Sequence, residues 1–197
     1  MIRREKPRVY EMTPHVDKIV EAILFVIEEA EHRGDAVTQH DISTVIFFAD
    51  RSHLNRYGRP ITFDNYVAME TGPTPVTAFE ILDENENALR RLGVLPLWSK
   101  VPAPELGRGN FVYRKPERRA TNDVLSESDM EELSSALTFI KSRSVWEIRR
   151  LTLEDRAYLS AWEGGGGKRQ YPISYALFFD PPNHQKAAEL SFYSEYV

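Results

Sequence analysis

Asp50, Arg51, His53 and Tyr57 are the residues whose types and spacing come nearest to chemistry. On a helix Asp50 and His53 share a face, and so do His53 and Tyr57. A carboxylate that orients an imidazole is the arrangement of an acid-base pair. The competing reading makes the same four residues a polar structural cluster. They would cap the helix end, support the Gly58-Arg59-Pro60 turn through hydrogen bonds, or tie the helix to the strand that follows. The structural reading is preferred, because neither a nucleophile motif nor a second carboxylate can be assigned to accompany the pair. No catalytic residue is assigned, and the expectation is a protein that is not an enzyme.

Other chemistry is thinner. His15, His32, His40, His53 and His184 form no ligand cluster at the recurrent short spacings of zinc or iron sites. Neither a metal nor a cofactor is expected. Arg114, Lys115, Arg118 and Arg119 beside Phe111 and Tyr113 have the makings of a phosphate-contacting, base-stacking surface. No helix-turn-helix accompanies them, and direct nucleic-acid binding is not the expectation. Four consecutive glycines before Lys168 lack the mixed pattern and preceding strand of a phosphate-binding loop, and read instead as a flexible tether.

The chain has 197 residues, 42% hydrophobic and 28% charged, with a net charge of -5 and no cysteine. That length suits one domain with a sizeable core. The charge gives no broad attraction to polyanions, and without cysteine there is neither disulfide nor thiol chemistry. No apolar run is long enough for a membrane span, and the basic start lacks the apolar segment of a secretory signal. A cytoplasmic location is expected.

The elements that must position these residues are mostly helical. Thr13-Pro14 starts a helix whose stripe is Val16, Ile19, Val20, Ile23, Leu24, Ile27 and Ala30, ending near Gly34. Thr38 and Asp41 cap the next, with Ile42, Val45, Ile46 and Ala49 facing inward and Gly58 as its exit. Residues 61–69 read as a strand, broken by Gly72-Pro73-Thr74-Pro75. A third helix opens at Pro75 or Val76 and carries Phe79, Leu82, Leu89 and Leu92, with an interruption at Asn85 and Glu86. Short strands at 94–98 and 110–113 flank a long loop over 101–109. Ser126 with Asp129, and Ser128 with Glu131, signal a helix over 127–142, followed by helical stretches from Val145 and over 153–162. The end of the chain repacks through Ile173, Tyr175, Leu177, Phe178 and Phe179, then forms a helix after Pro181-Pro182. The fold class expected is α+β: a predominantly helical single domain with a small antiparallel β element.

At Phe48-Ala49-Asp50, His53-Leu54, Gly58-Arg59-Pro60-Ile61, Tyr66-Val67-Ala68 and Gly72-Pro73 the sequence resembles the Panacea domain family, which includes SocA-like antitoxins. The similarity covers roughly residues 16–163. With the element reading above, the chain divides into an N-terminal arm over 1–13, a Panacea-like domain over 14–163, a glycine-rich loop over 164–170, and a packing segment with a helix over 171–197. The resemblance implies the antitoxin of a type II pair in bacteria or their phages, neutralising a cognate toxin protein, encoded by an adjacent gene, through direct binding. A proteolytic adaptor that delivers a partner to a protease is the alternative, and a hydrolytic enzyme using Asp50 and His53 is a third. Arg59, Phe63, Tyr66, Phe111 and Tyr113 are the candidate protein-binding residues, with the aromatic run 192–196 as a further source of apolar anchors.

Overall fold

The computed structural model describes residues 8–107, 109–114, 116–163 and 167–196. Expectations for residues 1–7 of the arm, Arg108 of the long loop, Lys115 of the basic segment and residues 164–166 of the tether lie outside them. From Arg8 onward the expected arm is fastened to the body: Met12 is buried, and its amide donates to Asn65 Oδ1 at 2.9 Å.

Helix α1 (Val16–His32) forms where the stripe predicts, though it opens at Val16 and not at Thr13-Pro14, whose Thr13 amide is drawn to Ser194 Oγ; Ile19, Ile23, Leu24 and Ile27 are completely buried. Burying such a side chain contributes about 1.5–3 kcal/mol before entropy is counted. Helix α2 (Gln39–Tyr57) opens with a reciprocal capping box between Thr38 and Asp41 and closes on Gly58 at φ 84. Only a residue without Cβ takes that left-handed turn freely. α2 divides two cores. Ile42, Val45, Ile46 and Ala49 face α1 and α5 (Glu127–Lys141), whereas Phe47 and Leu54 join an aromatic cluster with Tyr66, Tyr175 and Phe178. The run Ile46-Phe47-Phe48 is apolar on consecutive positions because both sides of the helix are covered.

The β structure departs from expectation in three places. The strand expected over 61–69 is only β2 (Tyr66–Met69), because 61–65 is drawn into a loop by hydrogen bonds to Asp50. Gly72-Pro73-Thr74-Pro75 does not end the β structure; it is β3, antiparallel to β2 in the register Val67↔Thr74 and Met69↔Gly72. The ladder tolerates two prolines because Val76 N donates to Asn65 O, which sets Thr74 and Gly72 toward β2 and Pro73 and Pro75 outward. β6 (Tyr171–Pro172) completes the sheet on the other side of β2. The strand expected at 94–98 lies further on, at β4 (Ser99–Pro102), paired with β5 (Phe111–Arg114). Val94 and Leu97 pack on the core from a loop, so their apolar alternation reflects burial and not pairing. β1 (Val37–Thr38) adds to β5, giving a second three-stranded sheet.

The third helix is two: α3 (Val76–Leu82) and α4 (Glu86–Leu92), separated where Glu84 sits at φ 59 and Asn85 caps the second. α5 carries the Ser126–Asp129 capping box, and α6 (Val145–Leu153), α7 (Arg156–Glu163) and α8 (His184–Tyr193) follow. The fold is predominantly helical with two small antiparallel sheets.

Candidate functional site

Asp50, Arg51, His53 and Tyr57 all lie in the C-terminal half of α2, yet each turns to a different neighbour. Asp50 is 1% exposed and accepts from the amides of Ile61 and Thr62, both at 2.9 Å, from the Thr62 hydroxyl, and from Tyr66 Oη at 2.8 Å. Burial pushes its carboxyl up, against the pull of those donors. The acid-base pairing that the spacing suggests is not formed. The His53 ring donates through Nδ1 to the Arg59 carbonyl at 2.8 Å, and its Nε2 lies 3.1 Å from both Asp129 Oδ1 and Ser128 Oγ. Arg51 pairs with Asp155 at the start of α7, and the Tyr57 ring lies over His53 with centroids 4.5 Å apart. Sharing a helix face brings Asp50 and His53 near; the segments packed on that face decide what each one bonds.

Two further carboxylates, both missed by the spacing argument, complete the arrangement. Asp129 is fully buried and receives Lys18 Nζ at 2.6 Å, Arg59 Nη2 at 3.0 Å and the Ser126 amide at 3.0 Å. Burial alone would raise its pKa, but the bonds from His53 and Lys18 hold the carboxyl well below the usual range. Asp64 accepts from the amides of Thr77 and Ala78 at 2.9 and 2.8 Å, capping the first turn of α3, and burial pushes its carboxyl up to about 7. The capping signature Ser126-x-x-Asp129 is legible in the sequence. That the same carboxylate also gathers Arg59, seventy positions away, is not.

The candidate contact residues fall into two groups. Phe63, Tyr66 and Tyr113 are 3%, 2% and 1% exposed, and so belong to the interior. Each fills the core side of its segment. Arg59 is about one-third exposed and already spends a guanidinium nitrogen on Asp129, while Phe111 stays partly open on β5. In the basic segment Arg118 pairs with buried Glu21, and Arg119 with Glu28, both on α1, while the two arginines stay exposed.

A family model described as antitoxin SocA-like, Panacea domain, matches residues 45–158. The chain belongs to this family. No curated protein and no solved structure matches it. The Panacea match begins inside α2 and ends inside α7, and it contains Asp50, His53, Asp64, Asp129 and the β2–β3 hairpin. It leaves out Lys18, which salts Asp129, and Tyr175, whose hydroxyl donates to the Asp64 carbonyl at 2.6 Å. The polar skeleton of this Panacea domain is therefore closed by elements on either side of the matched stretch.

Beyond that skeleton, the surface carries aromatic side chains that the fold does not use. Trp146, at the start of α6, is 79% exposed. Phe192, Tyr193 and Tyr196 are all more than half exposed, and the Phe192 ring lies against both tyrosines, with centroids 5.6 and 5.3 Å away. Among the described residues no group of three or more His, Asp or Glu side chains is placed to hold a metal ion. No helix there is long and apolar enough to cross a membrane.

Proposed function

We propose that the chain is an antitoxin that neutralises a cognate protein toxin by binding it directly. The observation that carries this reading is the Panacea match across residues 45–158, whose description is that of an antitoxin. Two features of the molecule support it. The polar residues best suited to acid-base work are buried and committed to holding loops and helix ends, Asp50 to residues 61–66 and His53 to Arg59 and Asp129. Exposed aromatic side chains, the type enriched at the energetic centres of protein interfaces, are left at Trp146 and around Phe192.

Inhibition by this route needs no covalent step. The bound antitoxin covers the toxin's working surface or holds it in an inactive shape. The test is bacterial growth on expression of the neighbouring gene's product, with and without this chain, followed by co-purification of the two. Growth arrest by the neighbour, relief by this chain, and a stable complex are the expected results. A toxic neighbour whose effect persists in the presence of the folded chain would overturn the proposal for that pair.

A further inference from the structure

Helix α6 is fastened to the body by a narrow strip, in which Ile148 and Thr152 are buried. On its last turn Leu153 packs on the aromatic core. Over the first two turns a neighbouring face holds Val145 with Arg149 and Trp146 with Arg150, each pair four positions apart and so in line along the helix. Val145 is 74% exposed, Trp146 is exposed still further, and both arginines are exposed as well. Beside Val145 the surface opens into a cavity of about 140 Å³, floored by the buried Ile140 and Ile148 and flanked by Arg143 and His40. Asp41 and Lys141, also in its lining, pair with each other at 3.2 Å. Burial pushes the His40 imidazole down against the pull of Asp41, and the nearby Arg149 charge adds to that push, which places Arg149 toward the cavity.

Arg143, Arg149 and Arg150 set the charge of this face. Arg143 donates to the Phe139 carbonyl at 3.0 Å, and its guanidinium lies 3.8 Å from the Phe139 ring centroid. Among the described residues none of the three arginines forms an ion pair. Glu147 is spent on the cap of α6, where it accepts from the Ser144 amide and hydroxyl at 2.9 and 2.7 Å. Glu154 after the last turn and Glu70 on the β2–β3 turn are exposed and pair with none of the three. The chain carries an excess of carboxylates, with a net charge of -5, yet brings none of them within ion-pair distance of these cations.

We propose that this face of α6 docks an acidic stretch of a protein partner, whose carboxylates pair with Arg143, Arg149 and Arg150 and whose apolar side chains pack on Trp146 and enter the cavity beside Val145. Tryptophan and arginine are the types enriched at the energetic centres of protein interfaces, and the guanidinium fork matches a carboxylate with two parallel bonds. Nucleic acid would meet the same arginines, but the charge of the whole chain opposes a uniform polyanion, and Val145 with the isoleucine-floored cavity offers an apolar socket and not a stacking platform. That the partner is the toxin rests on the antitoxin reading; the acidity of what binds rests on the face itself.

The two are tested separately. The full chain is titrated with a glutamate–leucine copolymer, a lysine–leucine copolymer and a thymidine oligonucleotide, and Trp146 is followed as the difference in emission between wild type and Trp146→Phe. The acidic copolymer should bind saturably, move that emission to the blue and bind more weakly as salt rises. Arg149→Glu with Arg150→Glu should weaken it about tenfold or more. These side chains are exposed and without ion-pair partners, so the substitutions should leave the thermal transition of the chain in place. Absence of saturable binding, binding that the double substitution leaves unchanged, or equal or tighter binding of the basic copolymer or the oligonucleotide overturns the proposal. With the neighbouring gene's product, Trp146→Ala should weaken the complex about thirtyfold and the double substitution about tenfold or more. A complex that both leave at full affinity overturns the assignment of this face to the toxin. Failure of the wild-type chain to bind that product sinks the antitoxin reading, while the copolymer titration still judges the face.

Discussion

Asp64 and Asp129 are both buried, yet they stand on opposite sides of the ordinary carboxylate range because burial of the one is met only by neutral donors, the amides of Thr77 and Ala78 and the Thr77 side chain, and burial of the other by two formal cations and an imidazole. Their effects on stability therefore fall in different pH windows. Asp64 holds its proton more tightly folded than unfolded, from 3.8 up to about 7, so stability should fall as pH rises between those values, by up to about 1.4 kcal/mol per unit, and level off above. Asp129 is depressed, so its contribution is present above about pH 4 and is lost as pH falls through the acid range. Urea titrations across pH check both expectations. Asp64→Asn should flatten the fall between pH 4 and 7. Asp129→Asn should cost about 1.5–3 kcal/mol at neutral pH, by weakening the charged hydrogen bonds from Lys18 and Arg59, and should flatten the acid limb. Local sequence says that Asp50 and His53 share a helix face. It does not contain Thr62, Asp129 or Ser128 as their partners, because those contacts are set by which segments pack on that face.

At the scale of elements, legibility followed the kind of signal. Most caps and helix stripes were readable because they are local: Thr38 with Asp41, Ser126 with Asp129, and the stripe of α1 behave as their spacing dictates, whereas the Thr13-Pro14 start does not, because α1 opens at Val16 without a side-chain cap. Strands were legible only in part: the one read over 110–113 falls on β5 and the one read over 61–69 contains β2, but the rest were missed or misplaced because pairing depends on residues elsewhere in the chain. Two prolines in four residues argue for a break, and only the register, which turns both nitrogens outward, explains how Gly72–Pro75 can be a strand. The same register leaves the outer edge of β3 without N–H donors, which discourages a further strand from adding there. Gly72 is the strained point: it sits at φ 127, and a Cβ there would lie 3.3 Å from Thr152 Oγ1. Gly72→Ala should therefore lower stability by about 1–3 kcal/mol, and Ser126→Ala by about 1 kcal/mol through loss of the cap on α5. Chemical denaturation measures both, and equal stability of either variant with wild type would contradict the geometry described for it.

For the whole molecule, the family match and the folding unit are not the same length. Residues 45–158 omit α1, whose Ile19, Ile23, Leu24 and Ile27 are fully buried, and also Tyr175 and Phe178 of the aromatic core. A fragment cut at those limits should lack a cooperative thermal transition by circular dichroism, whereas the full chain should show one. The sequence reads plainly as helical with a little β structure, but it does not reveal that the segment before α1 is laced to α8. Thr13 N donates to Ser194 Oγ at 2.9 Å across 181 positions, and His15 Nε2 lies 3.4 Å from the Ser194 carbonyl. This lacing bears on how the protein is made. At about 5–20 residues per second, a separation of 181 positions means that Thr13 is added to the chain roughly 10–40 s before its partner exists. For that interval the nascent chain is open where the finished one is tied, and synthesis itself sets the earliest moment at which the molecule can close.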